Sequence, residues 1–149
     1  MRTGIVTDRF DLDPFDLGRF VKAQAAEYAT AITEIRQGAK RSHWMWFVFP
    51  QIAGLGQSAM ARHYAIASLE EARAYLAHAT LGPRLRDCVA ALDGLSDTTA
   101  ERVFGPVDAM KLRSSLTLFE AAGAPFGPTI ERWFGQRDDR TLALLAGSI

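Results

Sequence analysis

The sequence predicts a single all-α domain of roughly seven to nine mostly short helices around an aromatic core segment. Apolar residues recur at three- and four-residue spacing in several segments, and no segment alternates apolar and polar residues as a half-buried strand does. Residue types that favour helix starts precede many of these segments, and glycines follow several of them. At 149 residues, with 48% hydrophobic and 23% charged residues, the chain has the length and composition of one globular domain.

The chain is predicted to begin with an N-terminal arm over residues 1–15, which carry mixed charges and a proline near their end. Residues 16–149 are predicted to form the helical domain. Its longest helix is expected over residues 16–37, with Asp16 as the N-cap and Gly38 just past the last turn. One face of that helix is marked by side chains at helical spacing: Leu17, Phe20, Val21, Gln24, Tyr28, Ile32 and Ile35.

Six consecutive apolar residues, Trp44–Phe49, form an aromatic block. Burial of one large apolar side chain is worth roughly 1.5–3 kcal/mol, so we expect this block at the centre of the core. Ser42 as an N-cap favours one or two helical turns over Trp44–Val48. A short strand is the alternative, because aromatic residues also favour strands. In either case Pro50 pushes the preceding residue out of the helical region.

Five further helices are predicted from the residues that start them, and two from apolar spacing alone. Two of the starts are followed by a glutamate three residues on, which makes a capping box. The starts are Ser58, Ser68, Pro83, Thr98 and Asp108. The last two helices contain Ile130–Phe134 and Leu142–Leu145. One buried core is expected to join these elements and to include Phe20, Phe47, Leu76, Leu92, Leu116 and Phe119.

The charge, hydropathy and cysteine content of the chain limit the partners and the location that we expect for it. Seventeen basic and seventeen acidic residues give no net charge, whereas nucleic acids and anionic membranes attract clustered positive charge, so neither is expected as a partner. No stretch approaches the ~20 apolar residues of a membrane span. Cys88 is the single cysteine, so no intramolecular disulfide is expected. The first 15 residues lack the apolar centre of a signal peptide, and a cytoplasmic location is therefore expected.

Six segments carry a family resemblance: Lys40–Gln51, Gly54–Gly56, Tyr64–Ile66, Ala74–Leu76, Leu81–Leu85 and Lys111–Phe119. They resemble a bacterial family of domains of unknown function whose members are often labelled "calpastatin", and the likeness spans roughly residues 16–145. It implies an all-helical single-domain fold and no established activity. Calpain inhibitors of that name are intrinsically disordered, whereas this chain has 48% hydrophobic residues and no net charge. The label therefore does not predict a function for it.

The aromatic block and its edges supply the first candidate site residues. His43 could act as a catalytic general acid or base near neutral pH. Trp44 and Trp46 could stack on a ring of a ligand, and Gln51 could hydrogen bond with its polar edge. The alternative for the histidine and the tryptophans is packing in the core, where the histidine would hydrogen bond with a backbone carbonyl.

A second group of candidate ligand-binding residues lies in the last of the six segments. Lys111, Ser114 and Ser115 are spaced i, i+3 and i+4, so they share one helix face, and a lysine with two hydroxyls could hold an anion. Arg113 or the Lys40–Arg41 pair could lie nearby. The alternative is a solvated lysine with small residues at a close helix contact.

Two functions from different classes fit these residues. The first is a pocket beside the aromatic block that binds an anionic nucleotide- or sugar-phosphate-like molecule and could hydrolyse it. The second is a protein-interaction module without catalytic activity. Convergence of His43, Gln51 and Lys111 on one concave surface would favour the first. No cofactor is implied, and the scattered histidines match no zinc-binding pattern, so no metal site is expected.

Overall fold

In a computed structural model of the protein, residues 12–147 are described, and within them the chain forms nine α-helices. The only extended pairing in that range is an isolated parallel bridge between Ile52 and Ile66. The all-α prediction is confirmed for this part of the chain. Most of the predicted N-terminal arm, residues 1–11, lies outside the described residues. The helices are α1 (Gly18–Gln37), α2 (Met45–Val48), α3 (Ala59–His63), α4 (Leu69–Ala77), α5 (Leu81–Asp93), α6 (Ala100–Phe104), α7 (Pro106–Ala121), α8 (Gly127–Phe134) and α9 (Asp139–Gly147).

The long helix α1 begins slightly later than predicted, and Asp13 caps it instead of Asp16. The Asp13 carboxylate accepts hydrogen bonds from the backbone N–H groups of Leu17 at 2.6 Å and Gly18 at 2.9 Å. Asp16 stands in the preceding turn with a φ of 55°. Gly38 ends the helix as predicted, in the left-handed conformation at φ 72°, which glycine adopts without steric cost.

Of the five other predicted helix starts, two are observed and three are shifted; among the shifted ones, α5 begins at Leu81 and not at Pro83. Ser58 and Ser68 cap α3 and α4, each accepting a backbone N–H at 3.1 Å. The cap of α6 is Thr99, one residue after the predicted one. Helix α7 begins at Pro106, because proline fits the first helical position where no intrahelical N–H bond is needed. The predicted cap Asp108 therefore lies inside the first turn of α7.

The aromatic block adopts the helical alternative, as the single turn α2. Ser42 does not cap it; the Glu34 carboxylate on α1 binds Ser42 instead. Glu34 accepts hydrogen bonds at 2.7–3.0 Å from the backbone N–H groups of Arg41 and Ser42, the Ser42 hydroxyl and the Trp44 indole. Burial would raise the pKa of Glu34, but these hydrogen bonds outweigh it and lower the pKa to about 2. The charged carboxylate of Glu34 thus ties the start of the aromatic block, and the residues just before it, to α1.

The core is built on α7, which packs against α4, α6, α8 and α9, while α1 packs against α2 and α5. Aromatic contacts link three of these helices: the ring of Tyr75 on α4 lies edge-on to Phe20 of α1 at 5.2 Å and tilted against Phe119 of α7 at 5.0 Å, measured between ring centroids. All six predicted core residues are buried in one cluster, as expected. Within the described residues, no helix combines the length and apolar character needed to cross a bilayer.

The junction between α4 and α5 depends on a close backbone approach at Gly82. A Cβ atom at this position would lie 2.1 Å from the carbonyl oxygen of Leu76. Any side chain there would force the two helices apart, so the glycine is a packing requirement. The Gly82–Pro83 pair lies inside the first turn of α5, which begins at Leu81.

Candidate functional site

A cavity of about 220 Å³ opens between α7, the loop after the aromatic block, and the start of α9. It is lined by Gln51, Leu55, Gly56, Val107, Met110, Lys111, Arg113, Ser114, Asp138 and Arg140. A much smaller cavity of about 10 Å³ shares Gln51, Gly56 and Lys111 with it and is also lined by Trp46 and Tyr64. We refer to the two together as the cleft.

The loop wall of the cleft is fixed by the parallel bridge. The backbone N–H of Ile66 donates to the carbonyl of Gln51, and that of Ala53 donates to the carbonyl of Ile66, both at 2.8 Å. These bonds hold the backbone of Gln51 at the cleft edge. Its half-buried side-chain amide makes no hydrogen bond with any residue between 12 and 147, so its donors and its acceptor are available to a ligand.

The α7 wall presents one stripe of the helix, spaced i, i+3, i+4 and i+7: Val107, Met110, Lys111 and Ser114. The ammonium of Lys111 lies 3.7 Å from a carboxylate oxygen of Asp108 and 5.2 Å from the centroid of the Trp46 ring. The other oxygen of Asp108 is 2.8 Å from the ammonium of Lys40. Asp108 is therefore bound more closely to Lys40, and the charge of Lys111 is only partly compensated.

The α9 wall is positioned by Asp138, the residue before the helix. One oxygen of its carboxylate, Oδ2, accepts hydrogen bonds from the Thr141 backbone N–H at 3.0 Å, the Thr141 hydroxyl at 2.6 Å and the Ser114 hydroxyl at 3.2 Å. Its backbone N–H donates to the Thr117 hydroxyl at 3.0 Å. Asp138 thus caps α9 and ties it to α7, which places Arg140 at the cleft.

Cations outnumber carboxylates among the residues that line the larger cavity. Lys111, Arg113 and Arg140 line it together with a single carboxylate, Asp138. The guanidinium of Arg113 donates to the carbonyls of Gln136 at 3.1 Å and Arg137 at 2.9 Å, which orient it without neutralising its charge. In a chain with no net charge, this concave surface has a local positive excess that favours an anion.

Four of the predicted site residues meet at the cleft: Trp46, Gln51, Lys111 and Ser114. His43 is exposed and lines neither cavity. Trp44 is fully buried, and its indole N–H donates to Glu34 at 2.9 Å, which corresponds to the core alternative.

Ser115 is fully buried, and its hydroxyl has no hydrogen-bond partner within the described residues. It lies outside the cleft because it is one position past Ser114, toward the apolar face of α7 that carries Leu112 and Leu116.

Two residues that the sequence did not single out, Asp138 and Arg140, complete the cleft. The only local signal was an aspartate directly before the last predicted helix, a typical N-cap position. Among residues 12–147, no group of three or more metal-ligating side chains is close enough to hold a metal ion.

Comparisons with known proteins identify a family and a fold. The sequence profile of a family described as "Protein of unknown function (DUF1810)" matches residues 14–145. The crystal structure of the conserved hypothetical protein Rv1873 from Mycobacterium tuberculosis is similar, with a TM-score of 0.88 and 51% sequence identity, over 90% of this chain and 99% of that chain. No curated protein matches the chain significantly. Neither matching description mentions calpastatin.

Proposed function

Because the chain belongs to the DUF1810 family, whose description assigns no activity, we propose its function from the chemistry of the cleft: it binds a small anionic molecule of the nucleotide- or sugar-phosphate-like class. One observation carries this proposal. Three cationic side chains line a single cavity of about 220 Å³ together with one carboxylate, in a chain without net charge. Such a surface concentrates anions and orients them by charge-assisted hydrogen bonds.

Lys111 is the residue on which the proposal depends most. Its side chain is 26% exposed and lines both cavities, and its ammonium is held by Asp108 only at 3.7 Å. An incoming phosphate oxygen would therefore displace a weak ion pair and not a strong one. Arg113 on the same helix and Arg140 on the α9 wall supply further donors. The hydroxyl of Ser114 already donates to Asp138 and to the Met110 carbonyl, so it orients the site and does not bind the anion.

The larger cavity has an apolar face formed by Leu55, Val107 and Met110. Trp46 lines only the smaller cavity, whose volume of about 10 Å³ admits no ring, and it contacts the site through the ammonium of Lys111. A ring of the ligand packed on the apolar face would gain contact area while its acidic group stays with the cations. The site thus combines one charged and one apolar surface within a single cleft.

Hydrolysis, the further step suggested by the sequence, would need a group in the cleft that moves a proton. His43, the residue predicted for that step, lies outside it. Our proposal is therefore binding, with turnover to be tested on the same ligands.

A protein-interaction module is the second candidate. Val107 and Met110 expose 64% and 68% of their surfaces at the mouth of the cleft, as residues of a docking surface would. This candidate predicts no response of the isolated protein to small anions.

The test is a thermal-shift screen followed by calorimetry, with inorganic phosphate, nucleotides and sugar phosphates as ligands. A ligand that binds only the folded state raises the melting temperature. Lys111→Ala should weaken binding by roughly 10- to 150-fold, the equivalent of the ~1.5–3 kcal/mol of a charged hydrogen bond. Alanine is the best helix former, so α7 should remain intact.

The matched control is Arg73→Ala, which removes the same charge from an exposed position on α4 that lines no cavity of the cleft. It should leave the affinity unchanged. Equal losses in both variants would mean that only the overall charge of the protein matters. No response to any of the anions would refute the proposal and favour the interaction module.

A further inference from the structure

We propose that the anion bound in the cleft also carries hydroxyl groups, as a phosphorylated sugar or polyol does, and that Asp138 and Gln51 recognise those hydroxyls. This inference rests on the proposed function, because it names the class of anion that the same cleft takes. It adds a recognition role for a carboxylate that a site for a bare anion would not contain.

The two oxygens of the Asp138 carboxylate differ in their hydrogen bonding. All three of its hydrogen bonds, from Ser114 and Thr141, reach the oxygen Oδ2. The other oxygen, Oδ1, accepts no hydrogen bond from residues 12–147, although Asp138 lines the cavity. A charged carboxylate oxygen is a strong acceptor, and a hydroxyl group is a donor that would satisfy it.

A carboxylate in this position weakens the binding of a simple anion such as inorganic phosphate. It shares the cavity with Lys111, Arg113 and Arg140, so it lowers the attraction that these cations exert on a phosphate. Capping α9 does not require the charge, since asparagine and serine cap helices about as well. A ligand with both an acidic group and hydroxyls would use the cations and the carboxylate together.

Gln51 supplies a second polar group, on the loop wall of the same cavity. Its amide has two donors and one acceptor and makes no hydrogen bond within the part of the chain that the structure describes. An amide can donate to one hydroxyl oxygen and accept from the next, a pairing that suits neighbouring hydroxyls of a sugar. The cleft thus contains cations for the acidic group of a ligand and two polar groups suited to its hydroxyls.

The volume of the cleft limits the size of the ligand. At about 220 Å³ the larger cavity is smaller than the roughly 300–1,000 Å³ of pockets that enclose drug-sized molecules. It fits a monosaccharide-sized molecule with one acidic group. A nucleobase attached to such a molecule would extend toward the mouth, where Val107 and Met110 are exposed.

The experiment compares inorganic phosphate with ribose 5-phosphate and glucose 6-phosphate by calorimetry, on the wild type and on Asp138→Asn. Asparagine keeps the cap of α9 and removes the charge. We expect the sugar phosphates to bind the wild type more tightly than inorganic phosphate does. In Asp138→Asn their affinity should fall roughly tenfold or more, the effect of losing a charged acceptor. Inorganic phosphate should bind the variant more tightly than the wild type, because repulsion is removed.

The control is Asp139→Asn, which removes the neighbouring charge from an exposed residue that does not line the cavity. It should not change the affinities for sugar phosphates and for inorganic phosphate in opposite directions. Gln51→Leu, a second variant outside the cap, should weaken only the sugar phosphates, so a poorly folded Asp138→Asn would not prevent the test.

The inference is overturned if the affinities for sugar phosphates and inorganic phosphate change together in Asp138→Asn and Gln51→Leu. It is also overturned if the wild type binds all the phosphates equally. Absence of any phosphate binding to the wild type would refute the proposed function as well, so the two failures are distinguishable.

Discussion

Replacing Glu34 by glutamine should destabilise the protein by about 2–3 kcal/mol at pH 7. Hydrogen bonds from Ser42, Arg41 and Trp44 outweigh the cost of burial and lower the pKa of Glu34 from 4.5 to about 2. One pKa unit corresponds to about 1.4 kcal/mol, so the charged form contributes up to about 3 kcal/mol. The amide oxygen of glutamine can retain part of this hydrogen bonding, which sets the lower end of the range.

The effect of Glu34→Gln should depend on pH in a defined direction. Because the folded-state pKa is lowered, the unfolded chain takes up the proton first, and stability is lost as the pH falls. The contribution is fully present above the ordinary pKa of 4.5 and disappears as the pH approaches about 2. The difference between wild type and variant should therefore be largest at pH 7 and small near pH 2.

Urea denaturation followed by far-ultraviolet circular dichroism, at several pH values, would measure this difference. Glu27→Gln is the control, because Glu27 lies on the same helix, α1, and makes no hydrogen bond among residues 12–147. An equal loss for Glu34→Gln at pH 3 and pH 7 would refute the electrostatic account. So would an equal loss for the two variants at pH 7.

Three further predictions concern the core, the α4–α5 junction and the candidate general base. Phe119→Ala should cost about 3–5 kcal/mol of unfolding free energy, because the ring is fully buried; a loss under ~1 kcal/mol would contradict its place in the core. Gly82→Ala should cost about 3 kcal/mol or more of unfolding free energy, because the added methyl group would collide with the Leu76 carbonyl. Gly94→Ala should change stability by less than about 1 kcal/mol, because a Cβ there meets no atom under 3.4 Å. Thermal unfolding of both variants would show the difference. His43→Gln should leave phosphate affinity unchanged in calorimetry, because His43 is exposed outside the cleft, and a clear loss would place it in the site.

Much of the fold follows from local sequence signals. The observed helix caps differ from the predicted ones where two residues compete for the same capping or hydrogen-bonding role. Both Asp13 and Asp16 could cap α1, and the turn through Pro14 returns the Asp13 carboxylate to the helix start. Thr98 and Thr99 offer the same capping hydroxyl, and α6 uses the second. Ser42 had no local competitor as a cap, but a distant carboxylate, Glu34, binds it more strongly.

The candidate site was predictable only where it is local. Lys111 and Ser114 share a face because helix geometry places residues three apart side by side, and their spacing is visible in the sequence. Asp138 and Arg140 reach the cleft because α9 packs on α7 through hydrogen bonds to Ser114 and Thr117. No local pattern encodes that contact, so the residues that complete the cleft could be found only in three dimensions.

The parallel bridge between Ile52 and Ile66 closes the intervening segment into a loop whose two ends are clamped. Loop-closure entropy rises slowly with length, so residues added at the exposed Gln57 would cost little stability and leave the position of Gln51 unchanged. Changes in the length of this segment would alter the rim of the cleft and leave the walls formed by α7 and α9 in place. The rim and the core can therefore vary independently of each other.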